Sequence, residues 1–341
     1  MLFRRDTSHT INLALQGGGA HGAFTWGVLD ALLEDGRLSF DGISGTSAGA
    51  MNAVVLAHGL LQDGHDGARA ALERFWNAVA ALGPAELPFP AGDGGGIGLS
   101  SGIRVMAQWM QHFSPEQLNP FDVDPLRDLL AAHIDFERLR ADSPVKLFVA
   151  ATHANTGRLR LFQAHEMSVS TVLASACLPT VQRAIEIDGE PYWDGAYSAN
   201  PAVFPLFYEC TANDILLVLL SPLLHGDTPR SAEEIRARSL DLAFNATFLR
   251  EMRMFAHARE YAEHSLPPRG RLERHLQRTH FHLIEAEELL SQLAAETRMT
   301  PGPAFIHMLY EQGRSRAQNW LTVHFPALGR RSSVDLGQMF Y

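Results

Sequence analysis

The sequence predicts an α/β fold: a mostly parallel central sheet with connecting helices, followed by a mainly helical C-terminal extension. Three observations carry this reading. Apolar runs of strand length lead into glycine-containing turns and then into residues of helical periodicity, the signature of βα units. Two such units follow one another within about the first sixty residues, which makes the first strands parallel. Beyond Leu220 the texture changes to long charged stretches with apolar residues at helical spacing.

The elements follow in order. Ile11 to Gln16 reads as a buried strand feeding Gly17-Gly18-Gly19-Ala20-His21-Gly22, and Ala23 to Leu33 as a helix stopped by Gly36. Asp41 to Ser44 is the next strand, Ser47 the turn, and Ala48 to Leu61 and Ala68 to Ala81 are helices. Gly83 to Gly102 is rich in glycine and proline and reads as a surface loop. Arg104 to Phe113 and Asp124 to His133 read as short helices, the second started by Asp124-Pro125. Val145 to Thr152 and Leu159 to Gln163 form an expected hairpin, and Ser168 to Ala176 a helix. Ala184 to Ile187 and Glu190 to Trp193 turn about Asp188-Gly189, and Asp214 to Ser221 is a strong core strand. Ser231 to Phe255 is a long helix with a capping-box start, Phe281 to Ile284 a late strand and Pro303 to Val323 a helix. These divide the chain into an expected domain of residues 10–222 and a helical extension of 223–341 packed on it.

Composition narrows the function classes. The chain has 341 residues, 46% of them hydrophobic and 19% charged, so it can bury a substantial core. A formal net charge of -10 without a polybasic run argues against nucleic acid as a partner and against charge-driven membrane binding, so contact with lipid should be apolar. The two cysteines, Cys177 and Cys210, suit a reducing compartment and offer no metal-ligand cluster. No secretion signal is legible at the N-terminus, and the longest apolar block, Ile215 to Leu220, is too short to span a bilayer. A cytoplasmic protein, peripheral to membrane or lipid surfaces, is expected.

The chemistry centres on Gly45-Thr46-Ser47-Ala48-Gly49, a G-x-S-x-G match at a strand-to-helix turn. Glycines on both sides let the backbone double back and leave Ser47 at a helix N-terminus, where the dipole favours developing negative charge. Gly17 to Gly22 follows a strand and offers successive amides for an anion. The base for Ser47 is either a histidine, of which there are sixteen, or an aspartate acting directly. Asp194 stands out because it ends a strand in Trp193-Asp194-Gly195-Ala196.

GGGAHG, GTSAG and DGA, in this order, resemble the motifs of the patatin-like phospholipases, and Ala174 to Pro179 resembles that family's helix end before a proline turn. The resemblance spans roughly Asn12 to Leu220. It implies a patatin-like three-layer fold and a serine lipid acyl hydrolase. Ser47 would be the nucleophile and Asp194 its sole partner. The oxyanion hole would come from Gly17, Gly18, Gly19, Ala20, His21 and Gly22, while Gly45, Gly49, Gly195 and Ala196 support the motifs. No calcium, other metal or cofactor is implied. The family usually has Arg or Lys where this chain has His21, whose expected role is to lock the loop as a donor or packing group. On that reading His21→Arg keeps or raises activity.

Three alternatives stay open on sequence alone. Gly17 to Gly22 also satisfies G-x-G-x-x-G, with Asp41 placed as a ribose-binding acid of a dinucleotide site. His225, His280 or His282 could complete a Ser-Asp-His triad. A non-catalytic lipid-binding or scaffold protein could carry the same motifs. Trp26, Met51, Phe24 and the residues around Leu173 are candidates to line an acyl channel, with core packing as their ordinary role.

Overall fold

The computed structural model describes residues 8–83, 89–91, 96–98, 114–264, 270–285, 287–290, 293 and 295–341. The chain opens with β1 (His9–Leu15), α1 (Gly22–Asp35), β2 (Leu38–Thr46) and α2 (Ala48–Ala80). Strand β2 is longer than expected because Leu38 and Phe40 are buried as well. The two helices expected between Ala48 and Ala81 are one run interrupted at Asp63-Gly64, where Gly64 has φ +56°. Strands β3 (Phe89–Ala91) and β4 (Gly96–Gly98) form an antiparallel hairpin. The expected helix at Arg104 to Phe113 lies outside the described residues, as does the rest of the expected loop after Gly83.

The middle of the chain supplies α3 (Pro115–Leu118), α4 (Pro125–His133), α5 (Phe136–Asp142), β5 (Lys146–His153), β6 (Leu159–Gln163), α6 (Val169–Ser175), β7 (Ile185–Ile187), β8 (Glu190–Asp194), α7 (Phe204–Glu209) and β9 (Asp214–Val218). It is followed by α8 (Ala232–His264), α9 (Arg271–Arg278), β10 (His280–Ile284), α10 (Glu287–Leu290), α11 (Pro303–His324) and α12 (Leu336–Phe340). Capping explains several starts. Asp124 accepts from the Leu126 and Arg127 amides, and Ser231 and Glu234 exchange hydrogen bonds at the head of α8.

The sheet has eight strands in the order β10-β9-β1-β2-β5-β8-β7, with β6 on the second edge of β5. Its first five strands are parallel, and β6, β7 and β8 are antiparallel additions. Central strands covered on both faces read as continuous apolar runs, and residues 11–15 of β1 and all of β9 are buried accordingly. One apolar core joins the sheet to α1 and α2 and includes Phe305, Ile306 and Leu309 of α11. The region after residue 222 therefore adds a sheet strand and shares the central core. Helix α11 crosses α1 closely: a side chain at Gly313 would begin 2.0 Å from the Phe24 carbonyl oxygen, so only glycine fits there. The crossing is fastened by Asp30, buried on α1, which takes hydrogen bonds from Arg69, Tyr310 and Arg314. Among the described residues no helix is long and apolar enough to cross a membrane.

Candidate active site

The glycine loop and Ser47 leave the carboxyl ends of adjacent parallel strands, β1 and β2, where open α/β sheets present their ligands. Ser47 has φ 55° and ψ -122°, a backbone conformation that β-carbon-bearing residues seldom adopt outside functional turns. The turn closes because the second motif glycine carries no side chain: a Cβ on Gly49 would lie 2.2 Å from the Leu15 carbonyl oxygen. Gly45 stays in the sheet, opposite Val149.

Asp194 is brought to Ser47 by strand β5. Thr46, the last residue of β2, pairs with Ala150, and Asp194, the last residue of β8, pairs with Ala151 on the same edge. Where β2 peels away as Ser47, β8 takes over the vacated edge. The Ser47 side chain lies near enough to the Asp194 carboxyl to favour its charged form. Ala196 donates its amide to Asp194 Oδ1 at 2.8 Å, the Asp194 amide donates to the Cys177 carbonyl at 2.8 Å, and Thr152 Oγ1 donates to the Asp194 carbonyl at 2.8 Å. Gly195 packs on Ala150. Asp194 is 2% exposed, and burial pushes its carboxyl up to about 7 against the Ala196 hydrogen bond and the nearby Ser47 side chain, which favour the charged form.

The six residues of the glycine loop are not equivalent. The Gly17 amide donates to Asn200 Oδ1 at 2.8 Å, the His21 amide to the Gly18 carbonyl at 3.2 Å, and the Gly22 amide back into the same turn. Gly18, Gly19 and Ala20 have no amide acceptor assigned among the described residues. The Ser47 amide is taken as well, by Ser175 Oγ at 2.9 Å.

His21 packs against the C-terminal region. It is 2% exposed, its Nε2 lies 2.8 Å from Thr297 Oγ1, and its ring packs edge-on to Phe305. Burial, aided by Arg298, lowers its pKa to about 3, so the imidazole is neutral at pH 7. It locks the loop to the C-terminal region. An arginine in that site would be a buried charge beside Arg298, which reverses the expectation that His21→Arg is tolerated.

Ser47 and Asp194 open onto a cavity of about 260 Å³. Met51, Phe75, Trp76, Val79, Leu126 and Leu178 make its wall mainly apolar, and Phe244, Arg298, Met299 and Pro301 arrive from the C-terminal region. Trp76 is oriented by donating Nε1 to Asn52 Oδ1 at 2.9 Å. Of the channel candidates, Met51 and, near Leu173, Ala176 line the cavity, whereas Trp26, Phe24 and Leu173 itself lie in the core away from it. Several site residues escaped the sequence reading. Asn200 holds Gly17, Ser175 holds Ser47, and Gln16 ties the loop to Asn245 at 2.9 Å and to the Leu220 and Ser221 amides at 2.6 and 2.8 Å. Arg298 is the cationic side chain lining the cavity and is ion-paired with Asp241 of α8. Only Ser175 lay in a stretch with a recognisable signal, the helix end before Pro179.

The dinucleotide and Ser-Asp-His readings lose their residues. Asp41 is occupied by the Thr211 and Ala212 amides and by Lys146 at 3.2 Å, not by the glycine loop. His282 is fully buried with its Nε2 3.0 Å from Asp214 and Nδ1 3.1 Å from Ser333. No histidine is among the described lining residues of the cavity.

A family model described as patatin-like phospholipase matches residues 13–207. No curated protein sequence matches. Among solved structures, VipD from Legionella pneumophila is similar at 15% identity and a TM-score of 0.42, covering 93% of this chain and 67% of that one. The heterodimeric ExoU-SpcU complex from the type III secretion system of Pseudomonas aeruginosa is similar at 16% identity and a TM-score of 0.29. There the match covers 93% of this chain and 59% of the other, so this chain spans less than two thirds of that protein's length.

Proposed function

Because the chain belongs to the patatin-like phospholipase family, we propose that it is a serine lipid acyl hydrolase that cleaves carboxylic ester bonds of phospholipids or related lipids through an acyl-Ser47 intermediate. The observation that carries the reading is that Ser47 and a buried Asp194 face one mainly apolar cavity beside the glycine loop. In this mechanism Ser47 Oγ attacks the ester carbonyl carbon and its proton passes to the Asp194 carboxylate. The charge that develops on the carbonyl oxygen is received by amides among Gly18, Gly19 and Ala20, each such donor being worth roughly 3 kcal/mol. The ester C–O bond then breaks and the proton moves from Asp194 to the departing alcohol oxygen. Water attacks the acyl enzyme, gives a proton to Asp194, and the fatty acid leaves as Ser47 recovers its hydrogen.

An aspartate is ordinarily too weak a base for a serine hydroxyl. Burial reduces the mismatch by raising the Asp194 pKa to about 7. The apolar wall of Met51, Phe75, Trp76 and Val79 suits an acyl chain, each buried methylene contributing about 0.8 kcal/mol. The reading includes a cytoplasmic location with contact to lipid surfaces, and no metal or cofactor step.

The test combines intact mass after fluorophosphonate treatment with turnover of a short soluble p-nitrophenyl ester. Wild type should gain one adduct that Ser47→Ala abolishes. Ser47→Ala and Asp194→Asn should each remain folded and lose at least about a thousandfold in kcat/KM. Near-normal turnover by folded Asp194→Asn would sink the dyad.

A further inference from the structure

We propose that Phe121, Val123, Val181 and Met299 form a docking rim that seats the cavity mouth on a zwitterionic phospholipid bilayer. The inference rests on the hydrolase reading and adds the surface through which substrate arrives. These side chains are 88%, 65%, 45% and 55% exposed. Phe121 is presented on a built turn: Asn119 Nδ2 donates to the Val123 carbonyl at 2.8 Å, and the Val123 amide donates back to Asn119 Oδ1 at 3.0 Å. Arg183 ties the turn to the segment that carries Val181 by donating to the Asn119 carbonyl at 3.2 Å. A phenylalanine held outward in this way keeps its ring in water unless another apolar phase covers it.

The occupant follows from continuity and charge. Val123 and Val181 line one crevice, and Val181 also lines the cavity that holds Ser47, as does Met299. The crevice also carries Asp122, Asp124, Arg127, Gln182 and Arg183, but the exposed Val181 and Met299 line the Ser47 cavity itself, so apolar side chains of the rim stand at its mouth. The turn and its flank carry Asp122 and Asp124, with Arg127 and Arg183 close by, on a chain of net charge -10. Such a surface gains nothing from anionic headgroups, in contrast to basic membrane-binding patches.

The experiment is flotation with phosphatidylcholine vesicles, with and without phosphatidylserine, in a Ser47→Ala background that leaves the lipid intact. The parent should co-float with phosphatidylcholine alone, and adding Phe121→Ser and Val123→Ser should lower the bound fraction by about fivefold or more. In active protein the same pair should leave soluble-ester turnover within about twofold while hydrolysis of vesicle lipid falls with binding. Phe121→Trp should show quenching by brominated phosphatidylcholine beyond that of the parent. Equal flotation of parent and double variant, no flotation of the parent, a requirement for phosphatidylserine, or no added quenching would each overturn the proposal. Absence of both soluble-ester turnover and a fluorophosphonate adduct would count against the hydrolase reading alone, because flotation is measured without turnover.

Discussion

Asp194 keeps its proton in the folded protein at pH values where an ordinary aspartate has lost it, since burial raises its pKa from 3.8 to about 7. Between those values the folded state binds more protons than the unfolded chain, so this group's contribution to stability falls as pH rises. Asp194→Asn, neutral throughout, should therefore be more stable than wild type at pH 8, by roughly 2–4 kcal/mol in denaturant titrations, with the gap closing toward pH 4. Activity has the opposite slope. The base must be ionised, so kcat/KM for the soluble ester should rise with pH and level off above about 7. His21 offers a second residue-scale test. His21→Arg should lower stability by ~3 kcal/mol or more, because the guanidinium would replace a neutral, buried ring beside Arg298; an unchanged melting temperature would contradict this. Ser47 and Asp194 could be picked out because each sits in a short motif with a local backbone reason. Asn200, Gln16 and Arg298 could not, since nothing near them in sequence tells which distant amide or carboxylate they meet.

At the scale of elements, strands β1, β5 and β9 were legible because full burial demands uninterrupted apolar runs. The hairpin of β7 and β8 announced itself through Asp188-Gly189, both with positive φ. Short helices were missed for a physical reason. Helix α7 covers six residues, and its first amides are capped from outside by Glu251 of α8, a partner that sequence neighbours do not reveal. The pairing of α1 with α11 was equally hidden, because a glycine within a helical pattern reads locally as a weak point. It predicts that Gly313→Ala pushes the helices apart and costs ~2–3 kcal/mol in equilibrium unfolding. Gly27, which faces the Tyr310 carbonyl at the same crossing, should couple to it, so the double variant should lose less than the sum of the two.

Across the whole molecule, the expected α/β body is present, and its helical C-terminal region is woven into it through β10 and α11. That region also walls the cavity with Phe244, Arg298, Met299 and Pro301, an arrangement set by chain topology and not by any local pattern. The handover on the edge of β5 has a mechanical consequence. Because adjacent residues Ala150 and Ala151 pair with Thr46, which precedes Ser47, and with Asp194, β5 acts as a caliper with its jaws one residue apart. Helices on either face can shift, and the cavity can widen, without altering the spacing on which the proposed proton transfer between Ser47 and Asp194 depends. Variation in the walls is thus mechanically insulated from the chemistry at their base.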